Sequence, residues 1–410
     1  MKTKYIFGAS LPRSGTKLYT YALSANKKIM MASNPNIELF KFLKKENSEI
    51  FKKRKKLKNL KTNYMMEDYY GSYKKSDMLQ HILRSNLNIK FKENIKEFRN
   101  KSYIRSKREI KDLSLHMKKI SGKTFKELFE DQIKIIKKRS KNDPQWLGFS
   151  ESWVIEFFPA IARSFPDAKF LINIRDPRAT IYANQNVRKK SKIAQILSYS
   201  RHFRKQIALA NSYLKSKHLK NRIHIFTYES LVFYPKKTIK RICKFLDVRF
   251  DSKSTQYKNI YDFQNKENFK GASISLIPLS NFDKKRTYFW KQNINDNILK
   301  YIEFLCYHEL KACGYKLFNN LETLLTKNKK KIKESFKKDL LRKVNWRSDS
   351  GNPKKEIRFE FSRHTKKKVT KTKDIKKYFI NDDFYKIKLK NKKINTFHFL
   401  KDYNKALNEI

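Results

Sequence analysis

Near its amino end the chain reads YIFGASLPRSGTK at residues 5–17. The first five residues form a short apolar run that is typical of a buried β-strand, and residues 10–16 contain the Pro and Gly of a tight loop. Residues 17–25 continue with the periodicity of a helix. A strand that enters a helix through a Gly-containing loop gathers unpaired backbone N–H groups at one point. This stretch therefore predicts a binding site for a phosphate-like anion.

Strands alternate with helices again in the middle of the chain. Apolar runs predict strands at residues 170–174 and 223–228. Pro177 and Pro235 each suit the first turn of a following helix, where the missing N–H is not needed. This alternation predicts an α/β fold in which a parallel β-sheet is flanked by helices.

Two further helices are predicted from apolar side chains at helical spacing. One runs from Trp153 to Phe165 and ends before Pro166, and the other covers residues 298–310 with Gly314 as its C-terminal cap. Residues 44–145 are basic and favour helix, which predicts a helical insertion with a substrate-binding role.

The last part of the chain, residues 319–410, differs in composition from the rest. It is rich in lysine, and apolar residues alternate with charged ones at residues 357–361 and 385–389. Such alternation is typical of half-buried strands, so a small β-containing appendage is predicted.

The chain as a whole is strongly basic, with 97 Lys and Arg against 38 Asp and Glu and a formal net charge of +59. The excess is spread over the whole length, which fits a composition bias as well as it fits a basic binding face. Non-specific, salt-dependent attraction of polyanions is expected, but no particular partner follows from the charge.

Several protein classes are not indicated. Three cysteines are too few for a disulfide framework, and no His pair has metal-ligand spacing, so no metal site is expected. No apolar run approaches the roughly 20 residues of a membrane span, and residues 1–9 do not have the pattern of a signal peptide. A cytoplasmic protein is the resulting expectation.

The loop at residues 10–17 differs from a nucleotide-binding P-loop, whose pattern is G-x-x-x-x-G-K-[ST]. Ser10 stands in place of the first glycine, and Thr16 separates Gly15 from Lys17. Leu18 occupies the position of the magnesium-binding hydroxyl. These departures weaken the hypothesis of a kinase with P-loop architecture.

The sequence PRSGT at residues 12–16 instead resembles the 5′-phosphosulfate-binding loop of sulfotransferases that use 3′-phosphoadenosine 5′-phosphosulfate. Further segments resemble that family in the order it requires: residues 165–179, 228–246 and 290–315. The resemblance covers residues 4–318 and implies a sulfotransferase domain, with a P-loop-like fold, at residues 1–318. It also implies 3′-phosphoadenosine 5′-phosphosulfate as the donor substrate, with no metal.

The resemblance assigns roles to individual residues. Arg13 would be the cation on the leaving phosphate and so a catalytic residue, because a guanidinium is always charged and can contact two oxygens at once. The loop and the start of the helix would supply N–H and hydroxyl donors to the donor's 5′ end: Ser14, Gly15, Thr16, Lys17 and Leu18.

The 3′-phosphate is assigned to Arg175, at the end of the strand at residues 170–174. The family places a Ser eight residues later, whereas this chain has Ala183 there, with Asn184 as the adjacent polar residue. A lost hydrogen bond to a charged phosphate costs roughly 1.5–3 kcal/mol. Tyr228 and Lys270 complete the predicted nucleotide-binding set.

Glu151 is the candidate general base, because an acceptor hydroxyl needs a carboxylate or His within reach to take its proton. The alternative is a carboxylate stabilised by the dipole of the helix predicted to begin at Trp153.

The sequence as a whole therefore predicts transfer of a sulfuryl group to a hydroxyl or amine acceptor. The PRSGT form of the loop is more similar to the carbohydrate and tyrosyl-protein branch of the family, which favours a glycan acceptor. The alternative is a catalytically inactive module on the same fold that binds polyanions through its basic surface.

Overall fold

A computed structural model of the chain describes residues 3–56, 73–187, 194–271, 281–320, 360, 364 and 400–409. The central feature is a sheet of five parallel strands: β1 (Lys4–Ser10), β2 (Ile29–Ser33), β3 (Trp146–Ser152), β4 (Lys169–Ile174) and β5 (Ile223–Thr227). Their spatial order is β2-β3-β1-β4-β5. The predicted parallel sheet is confirmed, and β1 lies at its centre.

Helices connect the strands, as parallel pairing requires. The α-helices before β4 are α1 (Thr16–Ser24), α2 (Ile37–Arg54), α3 (Tyr73–Arg84), α4 (Ile95–Glu109), α5 (Phe125–Lys137) and α6 (Phe158–Ser164). Those that follow are α7 (Pro177–Val187), α8 (Ala194–Lys215), α9 (Tyr228–Phe233), α10 (Pro235–Leu246), α11 (Lys285–Tyr288), α12 (Trp290–Asn293), α13 (Asp296–Cys313) and α14 (Leu400–Ala406). Short 3₁₀ segments and a two-stranded antiparallel pair, β6 (Tyr261–Asp262) and β7 (Glu267–Asn268), complete the described elements.

The chain divides into two compact units. The first contains the described residues of Met1–Met65, His81–Ile174 and Ser216–Asp283, and therefore the whole sheet. Its core is apolar on both faces of the sheet. On one face, for example, Phe7 packs edge-on against Phe149, with ring centroids 5.2 Å apart. On the other, the α10 side chains Ile239, Ile242 and Leu246 are fully buried, as their helical spacing predicts.

The second unit contains the described residues of Met66–Gln80, Arg175–Lys215 and Lys284–Ile410. It is helical, with α7, α8 and α11–α14 as its main elements. Gly314 caps α13 with φ of 78°, in the left-handed conformation expected of a C-terminal glycine.

The prediction of a single helix from Trp153 to Phe165 is wrong. Trp153 has φ of 71°, a 3₁₀ turn follows at Ile155–Phe157, and α6 begins only at Phe158. The spacing of four that suggests one helix arises because a turn and a helix bury their apolar residues in succession. The alternating stretches of residues 357–361 and 385–389, predicted as strands, lie outside the described residues apart from Glu360. The described end of the tail is helical.

Candidate active site

The loop at residues 11–15 joins the centre of the sheet to α1. Its turn is closed by the Ser14 N–H, which donates to the Leu11 carbonyl at 3.2 Å. Arg13 has φ of 68° and Gly15 has φ of 78°, so the loop uses the left-handed region twice. For Arg13 this conformation costs roughly 1–2 kcal/mol, which the surrounding packing must offset.

The loop leads into backbone N–H groups that hydrogen bonds within α1 do not use. The first intrahelical bond of α1 runs from the Tyr19 N–H to the Gly15 carbonyl at 3.2 Å. The N–H groups of Thr16, Lys17 and Leu18 therefore have no acceptor within the helix, and no side chain caps it. Together with the positive end of the helix dipole, these donors make the start of α1 suited to an anionic ligand.

Two buried contacts fix the loop to the strands beneath it. The hydroxyls of Ser10 and Thr16 lie 2.6 Å apart, which ties the end of β1 to the start of α1. The Asn173 side chain of β4 donates from Nδ2 to the Ser14 carbonyl at 2.6 Å. Sequence reasoning missed Asn173, although a polar residue inside the apolar run at residues 170–174 is a signal that could have identified it.

Tyr228 lies directly against the loop. It begins α9 immediately after β5, and a β-carbon placed on Gly15 would lie 2.4 Å from its Cδ2 atom. The ring therefore occupies the space that any larger residue at position 15 would need. Of the residues predicted to bind the nucleotide, the structure brings Tyr228 together with those of residues 13–18.

Glu151 lies on β3, paired in register with Ala9 of β1, and its side chain is buried. Its Oε1 accepts a hydrogen bond from the Asn36 backbone N–H at 2.5 Å, and its Oε2 has no hydrogen-bond partner among the described residues. Burial raises the pKa of Glu151 to about 8, although the Asn36 N–H opposes the shift. The helix predicted to begin at Trp153 starts only at Phe158 and so does not supply a dipole to Glu151. The carboxyl instead lies at the N-terminus of α2, because Asn36 is the N-cap residue of that helix.

Two asparagines of the loop after β2 contact Glu151 or the residue that follows it, and sequence reasoning did not identify them. Asn34 has φ of 48°, and its Oδ1 accepts from the Ser152 N–H at 2.9 Å. Asn36 is fully buried, and its side-chain amide has no partner among the described residues. The pair of asparagines at the end of an apolar segment was the available signal.

The two predicted lysines differ in their surroundings. Lys17 is half-buried, and its Nζ donates to Gln264 Oε1 at 2.8 Å. Lys270 is exposed and forms an ion pair with Glu267 at 2.5 Å. Nothing in these contacts directs Lys270 toward the loop.

Arg175 and Asn184 belong to the second unit. Arg175 follows β4 directly in the chain, and its Nη2 lies 3.4 Å from the Arg286 carbonyl. Asn184 is buried on α7, next to the half-buried Ala183.

Within the described residues, no three His, Cys, Asp or Glu side chains are grouped so that they could hold a metal ion. In that same part of the chain, none of the helices has the length and apolar character needed to span a bilayer.

One comparison with known proteins identifies a family. The family model described as the sulfotransferase family matches residues 6–252. No curated protein sequence gives a significant match. The chain is similar to the sulfotransferase domain of the curacin biosynthetic pathway at 14% identity, over 77% of this chain and 99% of that chain, with a TM-score of 0.43.

Two further solved structures are similar at the same level. One is the sulfotransferase domain of the Synechococcus PCC 7002 olefin synthase, at 16% identity over 72% of this chain and 90% of that chain, with a TM-score of 0.40. The other is a sulfotransferase from Mycobacterium tuberculosis H37Rv, at 13% identity over 62% and 70%, with a TM-score of 0.30. Because the family model spans more than half of the 410 residues, the chain belongs to the sulfotransferase family.

Proposed function

We propose that this protein transfers a sulfuryl group from 3′-phosphoadenosine 5′-phosphosulfate to a hydroxyl or amine of a glycan acceptor. The observation that carries the proposal is the loop at residues 11–15. It leads from the end of the central strand to the first N–H groups of α1, which have no acceptor within the helix. A phosphosulfate donor requires an anion-binding site, and the start of a helix after a central strand can provide one. Membership of the sulfotransferase family supports the same donor.

The residues of the loop would act on the donor's 5′ end. Sulfuryl transfer resembles phosphoryl transfer, in which charge spreads over the leaving and non-bridging oxygens in the transition state. Arg13 would neutralise charge on the leaving 5′-phosphate. Ser14, Gly15, Thr16, Lys17 and Leu18 would contribute N–H, hydroxyl and ammonium donors to the same group.

The remainder of the nucleotide is assigned on the family resemblance. Arg175 would bind the 3′-phosphate, and Asn184 is the polar side chain nearest in sequence to Ala183, which lacks the family's hydroxyl. Tyr228 supports the loop through its contact with Gly15. Lys270 would be the last phosphate contact, and its exposed ion pair with Glu267 would have to break.

Glu151 would take the proton of the acceptor. The bond between sulfur and the 5′-phosphate oxygen breaks, a bond between sulfur and the acceptor oxygen or nitrogen forms, and the acceptor proton passes to the carboxylate. A pKa of about 8 favours this role because a base is most effective when its pKa lies near the working pH.

The glycan acceptor rests on the PRSGT form of the loop and on the basic residues of 44–145. A positively charged surface near the site would favour an acceptor that is itself anionic.

The experiment compares 3′-phosphoadenosine 5′-phosphate with AMP and MgATP in thermal-shift titrations, followed by transfer of labelled sulfate to a panel of glycans. We expect selective stabilisation by the bisphosphate. We also expect Arg13→Ala to abolish transfer while the exposed control Arg249→Ala, outside residues 44–145, retains it. Stabilisation by MgATP alone would favour a kinase. No shift with any nucleotide would favour a polyanion-binding module that has lost catalysis.

A further inference from the structure

The start of α7, immediately after Arg175, is held by a buried ion pair. Asp176 and Arg178 are both fully buried, and Arg178 Nη2 lies 2.7 Å from Asp176 Oδ2. Asp176 Oδ1 also accepts from the Arg178 backbone N–H at 2.9 Å. Asp176 therefore caps α7 and fixes the backbone of the residue that precedes it.

The same arginine connects α7 to the middle of α13 and to the segment that follows α13. Its Nη1 donates to Glu303 Oε1 at 2.6 Å and to the Lys316 carbonyl at 2.7 Å. Glu303 also accepts from the Asn319 backbone N–H at 2.9 Å. Loss of one member of such a buried network is costly because its charged partners remain desolvated.

The last described helix of the chain completes this network. Tyr403 of α14 is fully buried, and its hydroxyl donates to Asp176 Oδ2 at 2.9 Å. The hydroxyl in turn accepts from Trp290 Nε1 at 3.1 Å. Tyr403 thus connects the tail directly to the carboxylate that caps α7.

The neighbouring residue, Asn404, fixes the helix to the segment after α13. Its Oδ1 accepts from the Lys316 N–H at 3.0 Å, and its Nδ2 donates to the Gly314 carbonyl at 2.8 Å. These reciprocal bonds satisfy backbone groups beyond the end of α13. The helix is therefore joined to the rest of the unit by specific polar contacts and not by apolar packing alone.

We infer that α14 is part of the support for the donor's 3′-phosphate site, with Tyr403 as a positioning residue that holds Asp176 and, through it, Arg175. This inference rests on the proposed function, which assigns the 3′-phosphate to Arg175. It gives the lysine-rich tail a role that its composition does not suggest.

The test uses the full-length chain and two ligands that differ by the 3′-phosphate. Tyr403→Phe keeps the ring and removes the hydroxyl that bridges Asp176 and Trp290. We expect its affinity for 3′-phosphoadenosine 5′-phosphate, measured by calorimetry, to fall about tenfold, with its affinity for AMP unchanged. Tyr301→Phe removes the hydroxyl of another buried tyrosine of the same unit and should change neither affinity.

The outcomes separate a positioning role from a general loss of stability. Equal losses for both ligands, or no loss for either, would overturn the inference while leaving the proposed donor intact. Wild-type protein that does not distinguish the two ligands would overturn the proposed donor, and the inference with it. If Tyr403→Phe does not fold, the half-buried Asn404→Ala provides a second variant, which should show the same selective loss.

Discussion

At the scale of single residues, Glu151 couples burial to protonation. Its pKa rises from an ordinary value of 4.5 to about 8, chiefly through burial. Between these values the folded state keeps a proton that the unfolded state has released, so the free energy of unfolding should fall by about 1.4 kcal/mol per pH unit as pH rises. Glu151→Gln removes this slope. Urea denaturation of the wild type and of Glu151→Gln at about pH 5, 6.5 and 8 measures how the free energy of unfolding changes with pH.

The half-buried Glu130 is a suitable control, because Glu130→Gln on α5 should keep the wild-type slope. Activity gives an independent readout of the same carboxyl. If Glu151 is the base, transfer should rise with pH toward a plateau above about 8, and Glu151→Gln should lower kcat by roughly 10²–10⁴-fold. A variant with full activity would exclude Glu151 as the base.

Residues at the site differ in how far the sequence could identify them. Arg13 and Gly15 belong to a local pattern, and local patterns can be read from one stretch of chain. Asn173 and Asn36 act through contacts with residues more than a hundred positions away. No single stretch encodes such contacts, so these residues emerge only once the strands are placed side by side.

At the scale of elements, the connection of β1 to α1 through the loop at residues 11–15 depends on the close packing of the Tyr228 ring against Gly15. A β-carbon at position 15 would lie 2.5 Å from Tyr228 Cε2, and φ there is 78°. We expect Gly15→Ala to destabilise the protein by about 2–4 kcal/mol, the sum of backbone strain and overpacking. Denaturant titration of Gly15→Ala, Tyr228→Ala and the double variant would measure the contributions of strain and overpacking to the free energy of unfolding.

The double variant separates the two causes. With Tyr228→Ala in the background, the overpacking is relieved and the strain remains, so the coupling between the two changes should be about 1–3 kcal/mol. Additive effects would mean that the ring does not restrict position 15. Thermal shifts with 3′-phosphoadenosine 5′-phosphate on the same variants would report whether the loop still binds the donor.

The elements themselves were unevenly predictable. The strands β1, β4 and β5 are largely apolar, and the predicted bounds of each lie within one residue of its observed ends. The sequence analysis does not predict β2 or β3: β2 has a run of only four apolar residues, and Gly, Ser and Glu interrupt the apolar residues of β3, although every residue of both strands is buried.

At the scale of the whole molecule, the excess of positive charge influences stability. The carboxylates are far outnumbered, so most lysines and arginines have no acidic partner available, and the net charge of +59 produces self-repulsion in the folded state. Many of the ion pairs among the described residues are exposed pairs three or four positions apart, which contribute little individually. We therefore expect the free energy of unfolding in urea to rise as NaCl increases from about 0.02 M to about 0.3 M, because salt screens the repulsion. A potassium chloride series should give the same rise if screening is the cause, whereas a fall with both salts would mean that ion pairs outweigh the repulsion.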